Sequence, residues 1–250
     1  MSRMDTASSS ASSSSPTTIF RPSAERGRTR IGWLDSQHTF NFGDYFDPQW
    51  MSWRGLRVLN DDLIQAGNGF GEHGHRDMAI LTWMLAGEIA HRDSLGNGDV
   101  LRPGDVQVMQ AGRGIRHSEM NPSDQTTHLL QIWIQPVANG LPPLYGQRHI
   151  PLAERTGRWA VLADRDGHEG LPLGADARVL TAIIPAGSSL TYGLPAGRGA
   201  WLHLARGAAT ANGQVLAGGD GLGVTGTGVH VHANESSEVL LFDLGYGLPR

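Results

Sequence analysis

Residues 67–121 decide the fold prediction, and they read GNGFGEHGHRDMAILTWMLAGEIAHRDSLGNGDVLRPGDVQVMQAGRGIRHSEMN. The stretch contains two pairs of potential metal ligands at i, i+2 spacing, His73 with His75 and His117 with Glu119. Residues two apart on a β-strand point to the same face of the sheet. Each pair can therefore direct two ligand atoms to one point. Two such strands side by side would supply three imidazoles and one carboxylate.

The composition favours a chain of many short strands. The chain has 250 residues, of which 34 are glycine, with 39% hydrophobic and 18% charged residues. The glycines occur in short groups, a distribution typical of strands joined by tight turns. We therefore predict an all-β protein. The net charge of −4 gives no indication of a nucleic acid or an anionic membrane as partner.

The residue types that are missing exclude several kinds of chemistry. The sequence contains no cysteine and no lysine, so all 20 basic residues are arginine. Disulfides, thiolate metal sites, cysteine nucleophiles, Schiff bases and a phosphate-binding loop lysine are excluded. The sequence also has no apolar run long enough to span a membrane and no apolar signal region at its start. From these observations we predict a cytoplasmic location and no membrane contact.

Three segments are predicted along the chain. Residues 1–27 include a serine-rich run and are expected to form a disordered tail. Residues 28–147 are expected to form an N-terminal metal-binding barrel and residues 148–250 a C-terminal barrel without metal. Within the first, residues 56–65 (LRVLNDDLIQ) alternate well enough for a strand, with a possible kink at residues 60–62.

The ligand set restricts the identity of the metal. Three imidazoles and one carboxylate suit a divalent first-row transition metal such as Fe(II), Ni, Co, Mn, Cu or Zn, rather than Ca or Mg. Glu119 is also the candidate catalytic residue, because a carboxylate beside the metal can accept a proton from a bound hydroxyl.

The remaining histidines are expected to have other roles. His230 and His232 form another i, i+2 pair, but no matching upstream ligands accompany it, so a surface pair is predicted. His91 precedes Asp93 in a predicted hairpin and is expected to stabilise the turn. Structural or surface roles are expected for the isolated histidines, which are His38, His128, His149, His168 and His203.

The spacing of these residues resembles the two cupin motifs. The first motif places Gly67 before His73 and His75, and the second places Gly104 and Gly112 before His117, with an asparagine four residues later. The segments EHGHRDM, HRDSLGN, RPGDVQVM and AGRGIRHSEMNPS further resemble the pirin family, and especially its bacterial quercetin dioxygenase branch.

The resemblance implies a bicupin, which contains two double-stranded β-helix barrels in one chain, with metal only in the N-terminal barrel. It implies that the metal ligands are His73, His75, His117 and Glu119, with Fe(II) as the first candidate. Three residues depart from the family pattern, and one of them, Gln110, replaces the proline of the second motif, as the branch tolerates. Gly74 replaces a usual proline, and Ala79 replaces a usual glutamate, from which we expect the loss of an outer contact to the site.

The resemblance also implies the function. A metal-dependent dioxygenase would cleave flavonols such as quercetin with O2 and release CO. A second hypothesis is a regulatory protein that senses metal or redox state and binds a protein partner without turnover. A third is a cupin isomerase or binding protein with a structural ion, because this fold hosts many chemistries.

Overall fold

The computed structural model describes residues 17–226 and 228–246. Within these ranges the chain forms 22 β-strands, numbered β1–β22 in chain order, one short α-helix, α1 (Leu152–Arg155), and a 3-10 turn at Ser23–Glu25. The all-β prediction is confirmed. Within the same ranges, no helix combines the length and the hydrophobicity required to cross a bilayer.

The N-terminal barrel consists of a large sheet and a small sheet. The large sheet has the spatial order β12-β9-β6-β11-β4-β3-β2 and the small sheet the order β5-β10-β7-β8. The strands are β2 (Gly27–Ile31), β3 (Leu34–His38), β4 (Leu56–Ile64), β5 (Gly69–His75), β6 (Ala79–Ala86), β7 (Ile89–Asp93), β8 (Gly98–Leu101), β9 (Asp105–Gln110), β10 (Ile115–Met120), β11 (Thr127–Ile134) and β12 (Leu144–His149).

The C-terminal barrel repeats this organisation. Its large sheet has the order β1-β20-β17-β22-β15-β13-β14 and its small sheet the order β16-β21-β18-β19. The strands are β1 (Thr17–Arg21), β13 (Ala160–Asp164), β14 (Leu171–Pro172), β15 (Ala177–Ile184), β16 (Ser189–Tyr192), β17 (Gly199–Arg206), β18 (Ala208–Ala211), β19 (Gln214–Ala217), β20 (Gly221–Thr225), β21 (Val229–Ala233) and β22 (Ser237–Leu244).

The two large sheets pack against each other and share one hydrophobic core. Trp83 of β6 and Ile132 of β11 belong to this core, as do Trp201 of β17 and Phe242 of β22. Phe40 joins it with its ring 5.0 Å from that of Trp201. Because this core covers the outer face of the first large sheet, only the inner face of that sheet is left to build a site.

Strand β11 shows how sequence alternation assigns residues to the two faces. Leu130, Ile132 and Ile134 lie in the core between the barrels, whereas Gln131 and Trp133 line a cavity inside the N-terminal barrel. This is the division that the alternating sequence of the strand predicts.

The inner face of the large sheet carries a row of buried polar residues. The register places one such residue on each of β3, β4, β11, β6 and β9 directly beside the next. Apolar residues occupy the neighbouring inward positions, including Met84 and Leu129 on one side and Ile80 on the other. The polar row is formed by His38, Asn60, Gln131, Thr82 and Gln107.

The predicted segment boundaries require two corrections. The expected tail was extended too far, because Thr17–Arg21 forms β1 and pairs with β20 of the C-terminal barrel. Arg21 is buried there, with its guanidinium 4.4 Å from the Trp50 ring centroid. Residues 1–16 lie outside the described residues. The boundary at residues 147 and 148 falls inside β12, whose partner β9 belongs to the N-terminal barrel.

The predicted kink at residues 60–62 is also absent. Strand β4 runs from Leu56 to Ile64 and keeps continuous register with β3 from His38 to Leu34. The two aspartates belong to opposite faces of this strand. Asp61 faces Arg26 and His128, and Asp62 lines the cavity.

Candidate metal centre

Three of the predicted ligands lie together on the small sheet. His73 and His75 belong to β5, and His117 belongs to β10, where its Cα is the register partner of His73. The Nε2 atoms of His73 and His117 are 3.1 Å apart. The ring of His75 lies 4.8 Å from that of His73 and 4.9 Å from that of His117. One nitrogen from each of the three rings can be chosen so that all lie within 4.8 Å of one another.

Hydrogen bonding gives His73 the form that a metal ligand needs. Its Nδ1 lies 2.8 Å from the carbonyl oxygen of Gly71, which can only accept, so Nδ1 carries the proton. The lone pair of His73 is therefore on Nε2, the atom that faces His117. A backbone carbonyl on the second nitrogen is the usual way in which proteins orient a ligating imidazole.

The other two imidazoles are held neutral. Burial, reinforced by the neighbouring rings, lowers the pKa of His75 to about 4 and that of His117 to about 3. Metal ligation requires the neutral ring, so at neutral pH these two ligands do not have to lose a proton. The Nδ1 atom of His117 is buried without a hydrogen-bond partner among the described residues.

Glu119 lies beside the cluster but on its inner side. A register shift in the β5–β10 pairing falls between His117 and Glu119. The carboxylate accepts hydrogen bonds from Thr82 Oγ1 at 3.3 Å and from Gln131 Nε2 at 2.9 Å. Burial raises the pKa of Glu119 to about 7, because removal from water disfavours the charged form.

The four predicted ligands fall into two overlapping clusters. Besides the three-histidine cluster, a ligand atom of Glu119 lies within 4.8 Å of one on His117 and one on His91. The structure thus brings His73, His75 and His117 together, and it places Glu119 next to His117 rather than within that distance of all three histidines. His117 is the residue common to both clusters.

The position of His91 goes beyond the turn role that the sequence predicts. Asp93 does organise the turn, since it accepts hydrogen bonds from Asn97. His91 itself is buried, with Nε2 3.1 Å from Asp93 Oδ2 and its ring stacked 4.8 Å from that of Tyr145. Its ring also lies 5.3 Å from that of His117. The spacing rule could not reveal this contact, because β7 reaches β10 only through sheet pairing.

The donor set fits a divalent transition metal. It comprises three neutral or neutralisable imidazoles whose nitrogens converge, and a carboxylate beside one of them. The sequence has no cysteine and therefore no thiolate ligand, and the clustered donors are the nitrogen and oxygen atoms that Fe(II), Ni, Co, Mn, Cu and Zn accept.

Two residues of the cluster, His73 and His75, form part of the wall of a cavity of about 220 Å³ inside the N-terminal barrel. Trp133 faces the cluster, with its ring 5.0 Å from that of His75 and nearly perpendicular to it. The sequence leads us to expect a core position for both Trp83 and Trp133. Trp83 does belong to the core, but the expectation is wrong for Trp133, which lines the cavity. The cavity is lined by Thr29, Leu34, Ser36, His38, Phe42, Asn60, Asp62, Phe70, His73, His75, Glu119, Gln131 and Trp133.

Several polar lining residues were not expected from the sequence. His38 was expected to be an isolated structural histidine, and Asn60 and Asp62 were expected to mark a kink. All three are buried and line the cavity. The sequence feature that marks them is a set of polar residues at inward positions of β3 and β4. This feature can be recognised only once it is known which face of these strands is the inner one.

The departures from the family pattern at Gly74 and Ala79 have little effect on the cluster. Gly74 lies on the opposite face of β5 from the two histidines, and a Cβ at this position would meet its nearest neighbour, Ile115 O, at an ordinary 3.7 Å. Ala79 is buried in the core between the barrels, on the face of β6 opposite to Thr82. The expected loss of an outer contact at Ala79 is therefore wrong, since this residue faces away from the cluster.

The pair His230 and His232 lies on the outside of the C-terminal barrel. Both side chains are exposed on β21, and His232 Nδ1 lies 2.9 Å from Ser189 Oγ. The residues between and beside them, Val229, Val231 and Ala233, point inward into a packed apolar core. The prediction of a surface pair is confirmed.

Together these features define a bicupin with a candidate metal centre in its N-terminal barrel. The Pirin family model matches residues 20–134, and the model described as Quercetinase C-terminal cupin domain matches residues 161–244. The chain belongs to the pirin family, as its motifs indicate.

Two relatives and one solved structure show the extent of the similarity. The chain is 43% identical over 228 residues to quercetin 2,3-dioxygenase of Escherichia coli K12, covering 90% of this chain and 97% of that protein. It is 42% identical over 226 residues to a pirin-like protein of Caulobacter vibrioides, covering 89% and 97%. The crystal structure of the bacterial pirin YhhW of Escherichia coli in complex with nickel(II) superimposes with a TM-score of 0.87 at 40% identity, covering 92% of this chain and 99% of that chain.

Proposed function

We propose that the protein is a metal-dependent dioxygenase that cleaves flavonols such as quercetin with O2 and releases CO. The observation that carries the proposal is the three-histidine cluster, of which His73 and His75 line a cavity with aromatic sides. A small-molecule site is commonly a concave, mainly apolar pocket with a few convergent polar groups. The name of the Escherichia coli relative, quercetin 2,3-dioxygenase, supplies the substrate class.

A divalent first-row transition metal would be held by His73, His75, His117 and Glu119. The nickel(II) complex of YhhW supports such a site without fixing the metal here, and Fe(II) is our first candidate. When bound, the metal would act as a Lewis acid that orients the substrate oxygen and makes the substrate accessible to O2.

The protein residues would bind the flavonol and move its proton. Glu119 would accept the proton of the 3-hydroxyl group, and Gln131 and Thr82 hold its carboxylate in place for that role. A base with a pKa near the working pH is effective in proton transfer. Trp133 and Phe70 would contact the rings of the substrate from the two sides of the cluster, since Phe70 lies 6.3 Å from His73 and Trp133 lies 5.0 Å from His75.

The proposal is tested by loading the metal-free protein with one metal at a time under anaerobic conditions. Fe(II), Ni, Co, Mn, Cu and Zn are compared, the metal content is measured, and quercetin is then added with O2. We expect loss of the flavonol absorbance with at least one of these metals. A filled site that leaves quercetin intact with every metal would overturn the proposal.

A further inference from the structure

The cavity has a second polar end that the proposed reaction does not use. Ser36 and His38 on β3, and Asn60 and Asp62 on β4, all point into it and are at most 2% exposed. Register places His38 beside Asn60, and Asn60 beside Gln131, the residue that donates to Glu119. Neighbouring strands are about 4.8 Å apart, so Asn60 lies about one strand spacing and His38 about two from Gln131.

The amide oxygen of Asn60 is occupied within the cavity wall. Because Asn60 Oδ1 can only accept, Nδ1 of His38, 2.9 Å away, carries the ring proton and donates it. Nε2 of His38 is then the acceptor for the Thr29 Oγ1 hydrogen, at 2.8 Å. The amide nitrogen of Asn60 is left with no hydrogen-bond partner among the described residues. Because Asn60 lines the cavity, its two N–H groups can donate to an acceptor there.

Asp62 provides the complementary acceptor. Its carboxylate accepts a hydrogen bond from Ser36 Oγ, the one side-chain donor that the described residues give it. A carboxylate has room for about four hydrogen bonds, so most of its accepting capacity is free. Burial raises the pKa of Asp62 to about 7, because removal from water disfavours the charged form. Asn60 and Asp62 are two residues apart on one strand and point into the same space.

Aromatic rings connect this polar end with the histidine cluster. The ring of His75 lies 5.0 Å from that of Trp133, Trp133 lies 5.6 Å from Phe42, and Phe42 lies 5.2 Å from His38. The cavity is thus a slot with an aromatic wall and a polar group at each end. A planar molecule of several rings that carries hydroxyl groups at both ends matches this arrangement.

We propose that Asn60 and Asp62, supported by His38 and Ser36, bind two adjacent hydroxyl groups on the ring of the substrate that lies away from the histidine cluster. Each hydroxyl of such a catechol can donate to Asp62 or accept from Asn60. This inference rests on the proposed flavonol function, which places the other end of the substrate at the histidine cluster. It adds a preference for substrates with a catechol ring over those with an unsubstituted ring.

The test measures binding of flavonols to the metal-free, full-length protein by calorimetry. On the remote ring, galangin carries no hydroxyl group and kaempferol carries one. Quercetin carries two adjacent hydroxyl groups, and morin carries two that are not adjacent. We expect quercetin to bind about tenfold more tightly than galangin or morin, the effect of one or two hydrogen bonds to buried polar groups.

The matching variant is the double substitution Ser36→Ala with Asp62→Leu, which removes donor and acceptor together and so leaves no unpaired partner. We expect it to bind galangin within about twofold of the wild type and to lose the preference for quercetin. Asn60→Leu is expected to have the same effect and serves if the double variant does not fold. Asp124→Asn, in an exposed loop, is the control and retains the preference.

Three outcomes would overturn the inference: no preference in the wild type, a preference that persists in both variants, or no flavonol binding at all. Binding is measured without metal, so the result is independent of turnover. A retained catechol preference with no CO released from the loaded protein would refute the dioxygenase alone. Turnover that ignores the remote hydroxyls would refute this subsite alone.

Discussion

The Nε2 atoms of His73 and His117 lie 3.1 Å apart on register partners of two neighbouring strands. His73 carries its proton on Nδ1, which donates to Gly71, so its Nε2 presents a lone pair to His117. In the absence of a cation, His117 can donate from Nε2 to that lone pair. A metal ion would take both lone pairs, and the proton of His117 would then reside on its buried, unpartnered Nδ1.

The substitution His117→Ala is expected to abolish metal binding. His117 belongs to both ligand clusters, so its loss leaves only two adjacent imidazoles and a separated carboxylate. Metal content after loading and dialysis should fall from about one ion per chain to less than about a tenth. His232→Ala is the matched control, because this exposed imidazole on the other barrel should leave metal content unchanged. Full metal content in His117→Ala would place the metal elsewhere.

Glu119→Gln should reduce turnover more than it reduces metal content. Glutamine keeps the shape of the side chain but cannot accept the proton, whereas the three histidines remain. General-base catalysis contributes about 100-fold or more, so kcat per bound metal should fall by about that factor. The measurement is the rate of quercetin loss divided by metal content. Full turnover in this variant would show that Glu119 is not the base.

Metal binding is expected to release a proton from Glu119. Burial raises the pKa of Glu119 to about 7 in the metal-free protein, and a divalent cation nearby favours the ionised form. Calorimetry in buffers of different ionisation enthalpy should show that the wild type releases about 0.8 proton more than Glu119→Gln at pH 6.5, and about 0.1 more at pH 8. Identical proton release in the two proteins would indicate that Glu119 is already ionised without metal.

The raised pKa of Glu119 also predicts how the stability of the metal-free protein depends on pH. The pKa is about 7 in the folded state against a reference of 4.5, so the folded state holds a proton that the unfolded state has lost. The contribution of this group to stability is thus fully present below pH 4.5 and is lost as pH rises through 7.

The metal-free Glu119→Gln variant should not show this pH-dependent loss of stability. Its free energy of unfolding, relative to the wild type, should rise by on the order of 3 kcal/mol between pH 4.5 and pH 8. Urea unfolding at several pH values measures the difference. A difference that does not change with pH would mean that the carboxyl is not buried as the structure shows.

Spacing rules predicted the residues of the histidine cluster because local geometry fixes them. Residues at i and i+2 on a strand share a face whatever the tertiary fold. His73 could therefore be paired with His75, and His117 with Glu119, from the sequence. The same rule placed Gln131 and Ile132 on opposite faces of β11, and the structure confirms this division.

Features that depend on sheet pairing between distant strands could not be predicted in this way. The row from His38 through Asn60 to Gln131 forms only when β3, β4 and β11 take adjacent places. The contact of His91 with His117 likewise depends on the pairing of β7 with β10. No local pattern specifies either arrangement.

The most direct test of the dioxygenase proposal is a single-turnover experiment on protein with a filled metal site. Quercetin is bound anaerobically, O2 is admitted, and O2 consumed, CO released and depside formed are all quantified. The proposal predicts one molecule of each per flavonol cleaved, with no CO from His117→Ala. Quercetin oxidation without CO, or CO release that is equal in the metal-free protein, would contradict it.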